Sequence, residues 1–211
     1  MVKKFKTITK QNKEEIAEKK SKFIANIFPV ENINDAEKII KDVKKEYFDA
    51  RHNCIAYRII DNEQLTERSS DDGEPSGTAG APMLNILQKY ELVNVLVIVT
   101  RYFGGILLGT GGLVRAYSES LQKVIESSNI IEKQIGFELK VTIEYNNFEI
   151  FKYYCKNNDI NIVNTEYLEN IVCKIELEEE KKEILMKDYD TKKIYLKNLE
   201  VISKKYIEKS K

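Results

Sequence analysis

Two segments carry most of the side chains that could do chemistry, and the first is a polar loop at residues 67–78. Its carboxylates Asp71, Asp72 and Glu74 are weak candidate ligands for Mg²⁺, and its hydroxyls can contact phosphate. Composition alone favours a solvated loop that only makes turns, but its length is typical of functional loops. The candidate site residues of the polar loop are Arg68, Ser69, Ser70, Asp71, Asp72, Glu74 and Ser76.

The second segment is a glycine loop at residues 101–115, predicted to join a buried strand to a helix. Glycines let backbone N–H groups approach an anion, and a helix N-terminus adds a favourable dipole. The loop matches neither a Walker A motif nor the dinucleotide fingerprint, and a glycine-rich hairpin built for tight packing is the equal alternative. The candidate RNA- or anion-binding residues are Arg101, Tyr102, Phe103, Gly104, Gly105, Gly109, Thr110, Gly111, Gly112 and Arg115.

A third candidate is the run His52-Asn53-Cys54, which contains the one histidine of the chain. Alternate residues of a strand lie about 6.5 Å apart, which is long for a contact between a nucleophile and its base. A single histidine also disfavours histidine-based metal sites. The pattern therefore favours a structural or surface histidine over a catalytic residue, and no catalytic residue is assigned.

Composition excludes several classes of protein. Basic and acidic residues number 34 each, so the basic footprint of a general nucleic-acid binder is missing. No segment approaches the roughly 20 apolar residues of a membrane span, and the N-terminus lacks the apolar core of a secretory signal. The three cysteines are odd in number and form no C-x-x-C pair. These features predict a cytoplasmic protein with reduced thiols, no zinc ribbon and no membrane association.

Apolar periodicity predicts the elements that position these loops. The residues at 92–100 are apolar on both faces except for Asn94, which is typical of a central strand covered on both sides. In the first part of the chain we expect strands at residues 22–30, 51–60 and 92–100, and helices at 34–48, 81–90 and 111–128.

The pattern changes at Gly136. Strands are predicted at residues 137–145, 160–168, 171–177 and 193–202, and helices at 147–157 and 179–189. This β-α-β-β-α-β order is the ferredoxin-like arrangement. We therefore expect an α+β protein of two domains, residues 1–135 and 136–211.

Several ordered blocks closely resemble the YigZ/IMPACT family. They are residues 67–80, 94–105 and 108–117, with further similarity at 21–25 and 49–54. The resemblance covers roughly residues 15–130, while the remainder is similar only in pattern. Lys22 stands where many members have arginine. Lysine keeps the positive charge but lacks the planar guanidinium group that can donate two parallel hydrogen bonds.

The resemblance implies an N-terminal two-layer α/β sandwich like domain IV of elongation factor G, a ribosomal small-subunit protein and the GHMP kinases. It implies a ferredoxin-like C-terminal domain like domain V of the same factor. Eukaryotic IMPACT regulates the control of translation initiation, and bacterial members have no settled activity. Because fold analogy alone is weak evidence for function, these implications are expectations only.

We therefore expect a non-catalytic, translation-linked regulator that binds ribosome or structured RNA without a cofactor. Arg101, Tyr102 and Arg115 would hold the backbone or a base while amides of the glycine loop contact phosphate. The balanced charge predicts shape-selective binding of modest affinity. Two alternatives stay open: a Mg²⁺-dependent enzyme acting on nucleotides or small phosphorylated molecules, and a protein-interaction module that sequesters a regulatory partner.

Overall fold

A computed structural model describes residues 2–61 and 63–209, which form two compact units divided after Glu132. The elements are, in chain order, β1 (Lys4–Ile8), β2 (Asn12–Glu18), β3 (Ser21–Pro29), α1 (Ile33–Glu46), β4 (His52–Asp61), β5 (Gln64–Ser70), α2 (Gly80–Lys89), β6 (Val95–Tyr102), α3 (Thr110–Glu126), β7 (Ile130–Ile143), α4 (Tyr145–Asn157), β8 (Asn161–Tyr167), β9 (Ile171–Leu177), α5 (Glu179–Asp190) and β10 (Asn198–Glu208). None of the helices in these residues is both long and apolar enough to cross a membrane.

The N-terminal unit is built on one antiparallel sheet with the strand order β2-β3-β6-β4-β5. β6 is its centre, and residues Val95 to Arg101 of this strand are all buried. Odd-numbered apolar residues such as Val97 pack against α2 and α3, whereas even-numbered ones such as Ile98 pack against α1. The predicted cover on both faces of β6 is therefore confirmed. α1 adds a third layer to the two-layer sandwich that the resemblance implied.

The C-terminal unit has the predicted β-α-β-β-α-β order. Its strands lie in the order β10-β7-β9-β8, and every pairing among them is antiparallel. This is the ferredoxin-like topology, so the predicted fold class is confirmed. Apolar residues of β7 and β9 pack with α4 and α5 into a separate core that includes Leu139, Phe151 and Ile175.

Three strands of the N-terminal unit had no counterpart among the predicted elements. β2 and β5 are edge strands that expose most of their side chains, so their sequences carry no apolar alternation. Backbone pairing with β3 and β4 holds them in place. β1 is anchored by the backbone bonds of Lys6 to Glu91 and Val93. β5 also changes the polar loop, because Glu67, Arg68, Ser69 and Ser70 belong to this strand.

Candidate functional site

The polar loop and the glycine loop face each other across a cleft of about 390 Å³ in the N-terminal unit. The cleft opens between the start of β4, the turn at residues 73–75 and the segment that leads into α3. Its lining includes Arg51, His52, Pro75, Phe103, Leu107 and Thr110. A cleft of this size is within the range of small-ligand sites. The structure therefore brings together parts of both loops that the sequence singled out.

A buried ion pair lies at the cleft, and it changes the interpretation of Arg101. Nη1 of Arg101 donates to both carboxylate oxygens of Glu74, at 2.8 and 3.0 Å. The side chains of Arg101 and Glu74 are only 7% and 3% exposed. Glu74 also accepts a hydrogen bond from the hydroxyl of Tyr117 at 2.8 Å. This geometry does not support the prediction that Arg101 holds the backbone or a base of an RNA, because its charge is already matched by Glu74 inside the protein.

The other two acids of the polar loop are also occupied by donors of the chain. Asp71 accepts backbone N–H bonds from Gly77, Ala79 and Gly80 at 2.8–2.9 Å. Burial by itself raises the pKa of the Asp71 carboxyl, but these three donors outweigh it and the pKa is lowered. Asp71 thus holds the polar loop against the start of α2.

Asp72 is turned towards β4 and α1. Its carboxylate accepts from the backbone N–H of Asn53 at 2.7 Å and from Nζ of Lys44 at 2.7 Å. Asp71, Asp72 and Glu74 consequently point to three different sets of partners. In residues 2–61 and 63–209 no group of three His, Cys, Asp or Glu could hold a metal ion. The geometry gives no support to the Mg²⁺ candidate.

The remaining residues of the polar loop lie away from the cleft lining. Arg68 pairs with Glu37 of α1 at 2.8 Å. The Ser70 hydroxyl accepts the backbone N–H of Asp72, while Ser69 pairs in the β4–β5 ladder opposite Ala56. Ser76 is exposed at the outside of the turn. These residues shape the loop and do not converge on one ligand position.

His52 lines the cleft in a defined orientation. Its Nδ1 lies 2.9 Å from the carbonyl oxygen of Asp72. A carbonyl only accepts, so Nδ1 carries a hydrogen and donates it to this oxygen. Cys54 is buried, and its thiol donates a hydrogen bond to the carbonyl oxygen of Asp71. Burial raises the pKa of the Cys54 thiol to about 12. The structure therefore shows no activated cysteine beside His52.

The glycine loop contains two kinds of glycine. At Gly104 a Cβ would overlap the backbone of Lys20 and Ser21, so this glycine is required by packing. At Gly105, Gly109 and Gly111 a Cβ would meet nothing within 4 Å. The tight-packing alternative therefore applies to Gly104, whereas anion binding by the glycines in open space stays a prediction.

Two of the open glycines, Gly109 and Gly111, stand at the start of α3. Gly109 is the N-cap of this helix, with φ of 72°, and no side chain caps the first turn. The N–H groups of the first turn of a helix have no partner within the helix and mark the positive end of its dipole. Gly109 and Thr110 line the cleft, so this end of α3 borders it. Gly112 lies against the Leu108 side chain, with Cβ positions 3.0 Å apart if it were alanine.

The aromatic and basic candidates separate in space. Phe103 lines the cleft, is 46% exposed and stacks its ring 5.6 Å from the guanidinium carbon of Arg101. Tyr102 lies on the opposite face of the sheet, where its hydroxyl donates to Asp49 at 2.7 Å. Arg115 is exposed on α3 and does not line the cleft. The structure therefore does not bring Arg101, Tyr102 and Arg115 together around one ligand position.

Sequence reasoning missed Arg51 and Leu107. Arg51 is an exposed cation of the cleft lining, and it forms no ion pair within residues 2–61 and 63–209. Leu107 is 82% exposed and lies on the same lining. The available signal was the family-like block at residues 49–54, in which Arg51 precedes His52 without having been given a role.

The whole chain was next compared with known proteins. Residues 19–125 match the model of the Impact N-terminal domain, and residues 141–188 match a domain of unknown function, DUF1949. This chain belongs to the IMPACT family. The two matched regions fall one in each unit of the structure.

Three curated members of the IMPACT family illustrate the similarity. The chain is 40% identical to the family member YvyE of Bacillus subtilis over 139 residues, which are 66% of this chain and 64% of that protein. It is 35% identical to the family member YigZ of Escherichia coli over 162 residues, 75% of this chain and 78% of that protein. Protein IMPACT of Rattus norvegicus is 37% identical over 98 residues, 44% of this chain and 30% of that protein. The match thus spans less than two thirds of the Bacillus and Rattus proteins.

Among solved structures, a crystal structure of a hypothetical protein is similar over nearly the whole chain. The alignment covers 96% of this chain and 99% of that protein, with 29% sequence identity and a TM-score of 0.63. The similarity extends through both units, so the pair of folds occurs together elsewhere.

Proposed function

We propose that this chain is a non-catalytic, translation-linked regulator that binds ribosome or structured RNA through the cleft of its N-terminal unit. The observation that carries the proposal is the uncapped start of α3, which borders the same cleft as the exposed Arg51 and the exposed ring of Phe103. Helix N-termini and free guanidinium groups bind phosphate, and exposed aromatic rings stack on bases. The link to translation rests on the family resemblance and on the control of translation initiation by eukaryotic IMPACT.

The proposed site differs from the one predicted from the sequence. Arg51, the amides at the start of α3 and Phe103 replace Arg101 and Tyr102 in the proposed site. Arg115, exposed on α3 and without an ion pair in the part of the chain that the structure describes, extends the proposed site along this helix. If two or three phosphates are contacted, the logarithm of affinity should fall with the logarithm of salt concentration with a slope of about −1.4 to −2.7.

Sedimentation of a cell lysate through a sucrose gradient, with and without ribonuclease, tests the proposal. We expect co-migration with ribosomal particles that is lost after ribonuclease and after Arg51→Ala. Lys38→Ala, which removes one exposed cation from α1 outside the cleft, is the matched control and should behave as wild type. Protein that stays in the top fractions in every case would refute ribosome or RNA binding.

A protein-interaction module is the second candidate function, because the glycine loop exposes apolar side chains. Leu107 is 82% exposed and Ile106 is 43% exposed, next to Phe103. Contiguous exposed apolar side chains are typical of protein–protein contacts. Co-migration that resists ribonuclease but is lost after Leu107→Ser would favour this candidate over RNA.

The alternative of a Mg²⁺-dependent enzyme has no comparable support. Each carboxylate that could bind the ion has donors of the chain as partners. A melting temperature raised by Mg²⁺ together with a nucleoside triphosphate, and by neither alone, would restore it.

A further inference from the structure

The turn between β2 and β3 has an unusual sequence for its backbone conformation. Glu18 pairs with Ser21, so only Lys19 and Lys20 form the turn. Their φ angles are 45° and 65°, which is the left-handed region at both positions. Two-residue hairpin turns of this kind favour Asn-Gly, because asparagine and glycine adopt positive φ at little cost. Within residues 2–61 and 63–209, no other two consecutive non-glycine residues both have positive φ.

The strained backbone of this turn holds two exposed cations. Residues other than glycine in the left-handed region are destabilising, and they concentrate at functional sites. The side chains of Lys19 and Lys20 are exposed, and neither forms an ion pair in the part of the chain that the structure describes. The nearby Lys22 of β3, in contrast, pairs with Glu15 at 2.7 Å. Two free ammonium groups therefore stand on a turn whose backbone favours other residues.

The glycine loop fixes the position of this turn. Gly104 lies so close to it that a Cβ there would overlap the carbonyl group of Lys20. The backbone N–H of Gly104 donates to Oγ of the buried Ser21 at 3.1 Å. Nη2 of Arg101, the partner of Glu74, donates to the same oxygen at 3.4 Å. The two lysines therefore extend from a backbone that is packed against the loop bounding the cleft.

The turn lies next to the cleft proposed for RNA but outside its lining. β3 pairs with β6 so that Lys22 is opposite Tyr102, and Lys20 contacts Gly104 two residues further along. Phe103, which lies between these two positions, lines the cleft. Because paired strands are only about 5 Å apart, a strand of RNA that leaves the cleft at Phe103 would pass the turn.

The charges of the turn suit a phosphate backbone. Glu18 is the acid next to the turn, and it lies on the same face of β2 as Ile16, which packs against the cluster that contains residues of α3. Lys19 and Lys20 thus provide two positive charges against one negative charge. Lysine binds phosphate as a point charge, and such contacts position a nucleic acid without reading its sequence.

We propose that Lys19 and Lys20 contact backbone phosphates of an RNA next to the cleft. This inference rests on the proposed function, and it adds a binding surface that the cleft does not contain. If the turn adds two phosphates to the two or three of the cleft, the salt slope of the whole chain becomes about −2.8 to −4.5. The cleft alone gives about −1.4 to −2.7.

Fluorescence anisotropy of a labelled RNA stem-loop, titrated with the full chain at several salt concentrations, tests the inference. The decisive variant is Lys19→Asn/Lys20→Gly, which removes both charges and supplies the residues that this turn favours. We expect weaker binding by about tenfold to fiftyfold at about 0.1 M salt, and a salt slope that is less steep by about 1.4–1.8. The melting temperature of the N-terminal unit should rise by about 2–6 °C. Weaker binding by a more stable protein is a result that a structural role of the lysines does not produce.

Two further variants complete the experiment. Lys10→Asn removes one exposed cation beyond the other end of β2, outside the cleft lining, and should leave the affinity and the salt slope unchanged. Lys19→Gln/Lys20→Gln provides the same test if the Asn-Gly exchange lowers the melting temperature.

The outcomes separate this inference from the proposed function. Affinity that is unchanged by both exchanges at the turn but lost after Arg51→Ala would contradict the role of the lysines and leave the cleft proposal standing. Weaker binding after the turn exchange, with no effect of Arg51→Ala, would support the turn and count against the cleft. A capped hexaglutamate peptide bound as tightly as the stem-loop would overturn the assignment to RNA, and a wild-type chain that binds no stem-loop at any salt concentration would overturn both proposals.

Discussion

Breaking the ion pair between Arg101 and Glu74 is expected to destabilise the N-terminal unit severely. Both side chains are more than nine-tenths buried, so removal of either partner leaves an unmatched charge or donor in the core. Such a loss costs about 3–5 kcal/mol. For a unit of about 130 residues, 1 kcal/mol corresponds to about 4 °C in melting temperature. We therefore expect Arg101→Met or Glu74→Leu to lower the melting temperature of this unit by about 12–20 °C.

The double variant Glu74→Leu/Arg101→Met is the decisive comparison. Removing both charges leaves two apolar side chains of similar volume, so it should cost less than either single change. The exposed pair of Arg68 and Glu37 is the matched control, and Arg68→Met should cost less than about 1 kcal/mol.

Urea unfolding followed through amide signals of β6 gives the free energy of unfolding for each variant. Single changes that cost under 1 kcal/mol, or a double change equal to the sum of the two, would refute the argument. The result also decides how Arg101→Ala is interpreted in any RNA-binding assay, because lost binding would then report lost folding.

Four further predictions follow from the same contacts. Gly104→Ala should destabilise the N-terminal unit by about 2 kcal/mol or more, since its Cβ would overlap the backbone of Lys20. Gly111→Ala places its Cβ in open space and should stabilise α3 by about 0.5–1 kcal/mol. Urea unfolding measures both changes. All three cysteines, Cys54, Cys155 and Cys173, are buried. Iodoacetamide at pH 8 should therefore label none of them in native protein and all three in denaturant, as counted by mass spectrometry. A thiol labelled in native protein at the rate seen in denaturant would contradict this prediction. Because the pKa of Asp71 is lowered in the folded protein, its carboxylate contributes stability above the pKa of the unfolded carboxyl, about 4, and this contribution is lost as pH falls through the folded pKa. Asp71→Asn should lack that part of the pH dependence of the free energy of unfolding. An unchanged pH profile would contradict the role of the three N–H donors. A fragment ending at Ile135 should unfold cooperatively by circular dichroism, because both apolar clusters of the N-terminal unit lie before that residue; a fragment without a cooperative transition would contradict the domain boundary proposed there.

Much of the fold was determined by local pattern in the sequence. A strand apolar on both faces at residues 92–100 must be central and covered twice, and β6 is. The glycine-free alternation after Gly136 was enough to predict the ferredoxin-like order. Family membership likewise rested on short ordered blocks, which the comparisons confirm. Edge strands such as β2 escaped this reasoning because their side chains are exposed and carry no apolar period.

The candidate site was decided by tertiary structure, because charge and exposure depend on what packs against a residue. The sequence shows Arg101 beside Tyr102, but the alternation of a strand sends them to opposite faces of the sheet. It shows Glu74 in a polar loop, but only the fold brings its carboxylate to Arg101, 27 residues away. Arg101, a candidate ligand in the sequence, is paired with Glu74 inside the protein, whereas Arg51, which had no assigned role, is exposed and forms no ion pair among the described residues. Pairing across distant segments made that distinction, and no local pattern in the sequence contains it.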